Sequence, residues 1–334
     1  MSTPASYHEC DTASAPDSTM IVAVVGPTAS GKSDLALDLA ERLPALLGAH
    51  RGELVSADSM QFYRGMDIGT AKTPINERRG IPHHQIDTLD VTEEPSAAQY
   101  QVQARADIAA IHQRGNLAVV AGGSGLYQRA LLDTIDFPGT DPAIRARYEA
   151  LAQGPYGPRG LHERLKSLDP LSAERIDAHN TRRLVRALEV IELTGKPYSA
   201  TMPRHVFHQR AVMIAIAREM DDLDLRIGQR TRKMFADGLI DEVRELILRG
   251  LRQGRTASKA TGYAQALAVI DGAMTIDEAT DAVALATRQL ARKQLKWLRP
   301  DPRIIWLPAT HDSSLSDRAC EAVLAQCSRK DSNE

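Results

Sequence analysis

The sequence predicts an α/β fold with a parallel sheet flanked by helices and an all-helical insertion. Strand and helix patterns alternate from residue 20 to about 137, which is typical of a parallel sheet. A helical pattern follows, and a strand at Val212–Ala217 then resumes the sheet. We therefore predict one α/β core over residues 20–138 and 204–326, interrupted by a helical insertion over 139–203.

The first strand leads directly into a glycine-rich loop. The apolar run Met20–Val25 precedes the segment Gly26–Ser33, and a helical pattern follows at Asp34–Ala40. This order, with the spacing GxxxxGK[ST], is that of a phosphate-binding loop, or P-loop. Backbone N–H groups of the loop and the start of its helix attract phosphates, Lys32 adds a charge, and the Ser33 hydroxyl is a candidate Mg²⁺ ligand. The sequence therefore predicts a site for a diphosphate or a triphosphate.

Composition limits the functional classes. A net charge of −2 disfavours bulk electrostatic binding to nucleic acid, although a local basic surface stays compatible with it. An aromatic content of 4% disfavours a large base-stacking platform, and no apolar run approaches the ~20 residues that span a bilayer. Cys10, Cys320 and Cys327 fit neither a disulfide framework nor paired metal ligands, which suits a reducing compartment. We expect a cytoplasmic protein with no membrane partner.

Both ends of the chain are predicted to be disordered. Residues 1–19 contain acidic residues but no Lys or Arg, unlike a signal peptide, which needs a basic start and an apolar middle. Residues 327–334 form a polar tail. We therefore expect the folded part of the protein to lie between these two segments.

A second strand pattern, Glu53–Ala57, ends at Asp58. Ligands of open α/β sheets bind outside the carboxyl ends of the strands, so we expect Asp58 near the bound phosphates. There it would act as an indirect metal ligand or as a general base. The structural alternative is a helix N-cap in front of Ser59 and Met60. The position at a strand end favours the functional role.

Three further segments carry weaker signals. The loop Gly65–Lys72 is as consistent with a plain surface loop as with a functional one. His83 and His84 would point to opposite faces of a strand and lack a third ligand at zinc spacing, which favours structural roles. The strand at Leu117–Ala121 runs into a second glycine loop, Gly122–Gly125, without the acidic residue that many P-loop ATPases carry there. This absence disfavours an ATPase.

Basic residues recur along the last long helical pattern. They lie at positions i, i+4, i+8 and i+11 and form a stripe along one helix face: Arg288, Arg292, Lys296 and Arg299. We expect the opposite face to pack on the core through Leu290, Ala291, Leu295 and Leu298. Such a stripe is usually a solvated surface, but the scarcity of balancing acids favours contact with a phosphate backbone.

Taken together, these segments resemble the tRNA dimethylallyltransferase (tRNA isopentenyltransferase) family. The resemblance spans roughly residues 20–308, and the segment Asp58–Lys72 is its most specific part. The other matching segments are Gly26–Ser33, Gly80–His84, Gly122–Tyr127, Asn180–Val190, Thr194–Lys196 and Arg288–Arg299. The resemblance implies transfer of the dimethylallyl group from dimethylallyl diphosphate to N6 of adenosine 37 in tRNAs that read codons beginning with U. It further implies Mg²⁺ as cofactor, an anticodon stem-loop as partner and a monomeric enzyme.

The resemblance also implies roles for individual residues. Asp58 matches the family's general base, and Thr28 and Lys32 complete the catalytic set. The diphosphate site would consist of Gly26, Pro27, Thr28, Ala29, Ser30, Gly31, Lys32, Ser33 and Arg230, with Ser33 as the metal ligand. The tRNA-binding residues would be Asp58, Ser59, Met60, Gln61, Ser124, Arg145, Arg182, Arg183, Arg186, Arg292, Lys293, Lys296 and Arg299. Two positions depart from the common pattern: Ser124 stands where many members have Thr, and Ala264 where many have a basic residue.

Three alternatives stay open at the level of sequence. The first is an adenylate isopentenyltransferase that acts on free AMP, ADP or ATP. The insertion and the basic helix disfavour it, because an enzyme acting on nucleotides alone needs neither. The second is a P-loop small-molecule kinase, and the third a nonenzymatic RNA-binding protein that uses the loop as an anion clamp.

Overall fold

The structure is a computed structural model that describes residues 19–201, 205–309 and 314–328. The disordered leader predicted for residues 1–19 lies outside the described residues except for Thr19. The tail predicted for residues 327–334 lies outside them except for its first two residues, which end the last helix.

Six parallel strands form one sheet within the described residues. The strands are β1 (Ile21–Val25), β2 (Gly52–Ser56), β3 (His83–His84), β4 (Leu117–Gly122), β5 (Ala211–Ala217) and β6 (Ile304–Pro308). They lie in the order β3-β2-β4-β1-β5-β6. Every residue of β1 and β2 is buried, as expected for parallel strands with both faces covered. The predicted parallel α/β sheet is confirmed.

Twelve α-helices occur in the described residues. They are α1 (Lys32–Leu47), α2 (Ala97–Gln113), α3 (Gly125–Leu132), α4 (Pro142–Gln153), α5 (Gly157–Leu168), α6 (Pro170–Arg175), α7 (Thr181–Thr194), α8 (Met220–Ala236), α9 (Leu239–Leu248), α10 (Tyr263–Ile270), α11 (Ile276–Leu298) and α12 (Ser314–Ser328). Side-chain caps fix the start of several: the Thr275 hydroxyl and the Glu278 carboxylate cap α11 reciprocally. Among the described residues, no helix has the length and apolar character needed to cross a membrane.

The chain divides into two compact units. The first contains the sheet, and its main core packs α1 and α12 against the strands through side chains such as Leu39, Ile214 and Val323. The second comprises residues 96–101 and 126–208, and Tyr148, together with leucines of α5 and α7, forms its core. The predicted insertion lies within this second unit, and its tRNA-binding role stays a prediction.

Three strands of the first unit end at the same edge of the sheet. Val25, the last residue of β1, lies opposite Gly122 of β4, and Ser56, the last residue of β2, lies opposite Ala121. The segments that follow these strands therefore meet beyond this edge.

Candidate active site

A cavity at this edge brings together six of the residues predicted to act on ligands. The P-loop contributes Thr28, Lys32 and Ser33, and the segment after β2 contributes Asp58 and Gln61. Arg230 of α8 completes the set. Asp58, which we predicted from its position at the end of a strand, therefore shares a cavity with the P-loop.

Two arginines from outside the P-loop hold its carbonyl groups. The Arg218 Nε donates to the Ser30 carbonyl oxygen at 2.7 Å, and the Arg226 Nε donates to the Ala29 carbonyl oxygen at 3.0 Å. Ala29 and Gly31 have φ values of 63° and 94°, which turn successive peptide groups in different directions. No side chain of the described residues caps the start of α1, so the N–H groups of its first turn stay available to an anion.

Lys32, Arg230 and Asp58 form a charge cluster in the cavity. Burial lowers the pKa of Lys32 to about 8, the Asp58 carboxylate opposes this change and the Arg230 guanidinium reinforces it. Burial also lowers the pKa of Arg230, again against the effect of Asp58. Two cations therefore share one carboxylate in a partly desolvated site, and a bound anion would stabilise both.

Asp58 does not cap a helix, which was the structural alternative that the sequence left open. One of its carboxylate oxygens accepts the Met60 N–H at 3.1 Å, and its carbonyl oxygen accepts the Gln61 N–H at 3.0 Å. These bonds close a turn rather than begin a helix. The turn uses only Oδ1 of the carboxylate, and Asp58 lines the cavity.

The loop that precedes Lys72 is held by polar contacts, several of them around the buried Lys72 side chain. The Lys72 ammonium lies 2.8 Å from a carboxylate oxygen of Asp67 and 2.5 Å from one of Asp87. Glu242 accepts backbone N–H groups of this loop and the Tyr263 hydroxyl, the latter at 2.6 Å. Because these charged groups pair with one another, we assign them to holding the loop in place.

The adjacent histidines have separate surroundings. The His84 Nε2 lies 2.7 Å from a Glu53 carboxylate oxygen, whereas the His83 Nδ1 lies 2.8 Å from the Ile81 carbonyl oxygen. Burial lowers the pKa of His83, so its ring is neutral at pH 7. In the part of the chain that the structure describes, no group of three or more His, Cys, Asp or Glu side chains is arranged to hold a metal.

Comparison with known proteins identifies the family. The family model described as IPP transferase matches residues 61–301. The chain is 52% identical over 299 residues to the tRNA dimethylallyltransferase of Kineococcus radiotolerans, an alignment that covers 90% of this chain and 94% of the relative. The tRNA dimethylallyltransferase of a Nocardioides species is 49% identical over 311 residues, with 93% and 97% covered. The chain belongs to the IPP transferase family.

A solved IPP transferase has the same fold. The crystal structure of the full-length tRNA isopentenylpyrophosphate transferase of Bacillus halodurans is 37% identical, with a TM-score of 0.67. The match covers 94% of this chain and 98% of that one. The family resemblance, the fold class and the enzyme class, a prenyltransferase, are thereby confirmed.

The predicted basic stripe follows α11 and its C-terminal cap in this IPP transferase. Arg292, Lys296 and Arg299 are exposed, as is Lys293, and Arg292 forms an ion pair with Asp224 at 2.8 Å. Arg288 is only partly exposed, and its Nε is buried with no hydrogen-bond partner among the described residues. The predicted core-facing residues Ala291, Leu295 and Leu298 are buried. The expectation for Leu290 was wrong: it is 42% exposed. One residue turns an α-helix by about 100°, so Leu290 lies away from the buried face of Ala291 and on the same side as exposed Trp297.

The other predicted tRNA-binding residues of the first unit lie in the segment that follows β2 and in the second glycine loop. The Gln61 amide accepts the Ser56 hydroxyl at 3.1 Å, and Met60 packs against a core cluster. Ser59 and Ser124 are partly buried. Their contact with tRNA stays a prediction.

In the second unit, the predicted tRNA-binding arginines have two different environments. Arg145 and Arg186 form ion pairs with buried Glu189 at 3.0 and 2.9 Å. Arg182 and Arg183, on the same helix as Arg186, are exposed. Arg145 and Arg186 therefore have a structural task, and the exposed pair is the stronger candidate for a phosphate contact.

Sequence reasoning did not single out Arg218, Arg226 or Gln294. Arg218 directly follows β5, so the argument from strand ends that we used for Asp58 would also have indicated Arg218. Arg226 and Gln294 lie within helices, and no local pattern distinguishes them from surface residues. Their contacts with the P-loop become visible only in the fold.

Proposed function

We propose that this enzyme transfers the dimethylallyl group of dimethylallyl diphosphate to N6 of adenosine 37 in tRNAs that read codons beginning with U. The products are N6-isopentenyladenosine in tRNA and diphosphate. The observation that carries the proposal is the cavity that joins Thr28 and Lys32 of the P-loop to Asp58 and Arg230. Relatives that share about half of their residues with this chain are named tRNA dimethylallyltransferases, which supports the same substrate.

The P-loop is the site of the leaving diphosphate in this mechanism. The bond between the allylic carbon and the diphosphate oxygen breaks, and negative charge develops on that oxygen. Lys32, Arg230 and the N–H groups at the start of α1 stabilise this charge. The loop therefore accelerates the reaction by binding the leaving group more strongly as its charge grows.

Asp58 accepts the proton that the adenine amine must lose. A neutral exocyclic amine is a poor nucleophile, and its nitrogen becomes cationic when it bonds to the allylic carbon. Transfer of one proton from this nitrogen to the Asp58 carboxylate neutralises the product. The carboxylate lines the same cavity as Lys32 and Arg230, which supports a reaction that needs both a base and a diphosphate site.

Mg²⁺ fits the residues of this cavity. This ion keeps several waters and binds through one or two protein oxygens together with phosphates, so it needs no dedicated cluster of ligands. The Ser33 hydroxyl and the Asp58 carboxylate line the cavity, and the nearby Ser30 hydroxyl is buried with no hydrogen-bond partner among the described residues. Ser33 would hold the ion, which would neutralise charge on the diphosphate.

The alternatives have less support. An adenylate isopentenyltransferase has no use for the exposed basic side chains of α11 and α7. A kinase is disfavoured because β4 ends at Gly122 with no acidic residue to help hold a nucleotide-bound metal. We further propose that the enzyme acts as a monomer in the cytoplasm.

The decisive experiment is mass spectrometry of nucleosides after incubation with dimethylallyl diphosphate. We expect N6-isopentenyladenosine from unmodified tRNA with adenosine at position 37, and none from the same tRNA with guanosine there. Preferential prenylation of AMP would support the adenylate enzyme. ATP-dependent phosphoryl transfer without prenyl transfer would support the kinase.

A further inference from the structure

The Gln294 side chain of α11 bridges the P-loop and the second glycine loop. Its Oε1 accepts the Thr28 N–H at 2.8 Å, and its Nε2 donates to the Gly123 carbonyl oxygen at 2.8 Å. Because an amide has one accepting and one donating end, these two partners fix its orientation. A single side chain thus sets the spacing between two loops that follow adjacent strands, β1 and β4.

The second loop is shaped to admit this amide. A Cβ atom at Gly123 would lie 2.5 Å from the Gln294 Nε2 and 3.2 Å from the Gly26 carbonyl oxygen. Both separations are too short for any side chain to be added without displacing a neighbour. Glycine at position 123 is therefore explained by the close approach of Gln294 and the P-loop.

The bridge also changes what Thr28 offers to a ligand. In a P-loop the backbone N–H groups usually point at the phosphate, but the Thr28 N–H is already bound to Gln294. Thr28 is 9% exposed and lines the cavity, so its side chain is the part that faces a ligand. Its position depends on the hydrogen bond that its own backbone makes to α11.

We propose that Gln294 is a positioning residue that holds Thr28 against the reacting diphosphate and fixes the P-loop relative to the second glycine loop. This assignment rests on the proposed prenyl transfer for its kinetic consequences. Gln294 lies between Arg292 and Lys296 on α11, whose exposed side chains are the predicted tRNA contacts. The helix that would bind tRNA is therefore in direct contact with the loop that would bind diphosphate.

The test replaces Gln294 by the nearly isosteric Met, which can neither donate nor strongly accept. We expect kcat to fall about 10- to 100-fold because reacting groups misplaced by about 1 Å lose that much. The KM for dimethylallyl diphosphate rises less than kcat falls, and the KM for tRNA is unchanged. The affinity for inorganic diphosphate falls about tenfold because the loop loses its support. The matched control is Gln289→Met at an exposed position of the same helix, which leaves all four quantities unchanged.

A second variant keeps Gln294 but fills the space that its amide group occupies beside Gly123. Gly123→Ala displaces the amide and reproduces the same pattern, and the double variant Gly123→Ala/Gln294→Met loses no more than the worse single one. The assignment is overturned if Gln294→Met keeps kcat and diphosphate affinity within twofold of the unsubstituted enzyme. A lowered thermal midpoint alone would then show a purely structural role. If the unsubstituted enzyme yields no prenylated tRNA, the proposed function fails, and diphosphate binding still decides the role of Gln294.

Discussion

The Asp58 carboxylate and the Lys32 ammonium share one cavity, and the carboxylate offsets part of the fall that burial imposes on the pKa of Lys32. The balance leaves this pKa at about 8, so the charge of the P-loop lysine changes within the range in which enzymes are assayed. A bound diphosphate would stabilise the charged form and raise the pKa again.

Affinity for diphosphate should therefore depend on pH through Lys32. Below about pH 7 the ammonium is charged, and the unsubstituted enzyme should bind inorganic diphosphate about 10- to 100-fold more tightly than Lys32→Met. As pH rises through about 8, the lysine loses its proton and this advantage shrinks. Calorimetry of both proteins at several pH values measures the difference between their binding free energies. The titration of the ligand itself cancels in this difference. An advantage that stays constant up to pH 10 contradicts the assigned pKa.

Asp58→Asn should separate catalysis from structure. The amide oxygen of Asn can still accept the Met60 N–H, so the turn is preserved, but the neutral group cannot take up the amine proton. We expect kcat to fall by a factor on the order of 10² to 10⁴ with little change in the thermal midpoint. Asp34→Asn, at an exposed position of α1, is the control and should retain full activity. A fully active Asp58→Asn enzyme would remove Asp58 from its role as base.

Arg226→Met should weaken diphosphate binding without touching the ligand's site directly. The Ala29 carbonyl oxygen loses its donor, and the loop is free to rotate peptide groups away from the anion. We expect affinity for inorganic diphosphate to fall about tenfold, the cost of one charge-assisted hydrogen bond. Arg232→Met, exposed on the same helix, provides the comparison. Equal affinities for the two variants would show that Arg226 does not support the loop.

Local features of the sequence were sufficient for the sheet and for part of the site. The strand expected at Val212–Ala217 is observed at Ala211–Ala217, and that expected at Glu53–Ala57 is observed at Gly52–Ser56, because short apolar runs between turns have few alternatives. The P-loop and Asp58 were predicted for the same reason: a fixed spacing and a strand end are local signals.

The contacts that support the site could not be predicted in this way. The bond from Gln294 to Thr28 joins residues 266 positions apart, and that from Arg226 to Ala29 joins residues 197 positions apart. Glutamine and arginine are common on helix surfaces, so their role is decided by which surface the fold brings against the loop. The pattern of a single sequence does not show which helix surface packs against the loop.

Glu189 should make the second unit sensitive to acid. Ion pairs with Arg186 and Arg145 and a hydrogen bond from Thr140 outweigh the effect of burial and lower the pKa of Glu189 from 4.5 to about 2. A lowered pKa means stability that is fully present above pH 4.5 and is lost as pH falls towards 2, about 3 kcal/mol in all. Glu189→Gln should therefore lower the free energy of unfolding at pH 7 by about 3 kcal/mol and weaken its acid dependence. Equal stability of the two proteins at pH 7 would contradict this.

The arginines of α7 should divide into RNA-binding and structural residues. Arg182 and Arg183 are exposed, so replacing both by Ala should weaken tRNA binding at low salt and make the slope of log affinity against log salt shallower by up to about 2, with the thermal midpoint unchanged. Arg186→Ala should instead lower the thermal midpoint, because Glu189 loses an ion pair in a buried position. Arg159→Ala, exposed on α5, is the control for loss of a positive charge.

Filter binding at several salt concentrations together with thermal unfolding measures all of these variants. A salt slope that is unchanged in Arg182→Ala/Arg183→Ala would mean that neither side chain neutralises a phosphate of the tRNA.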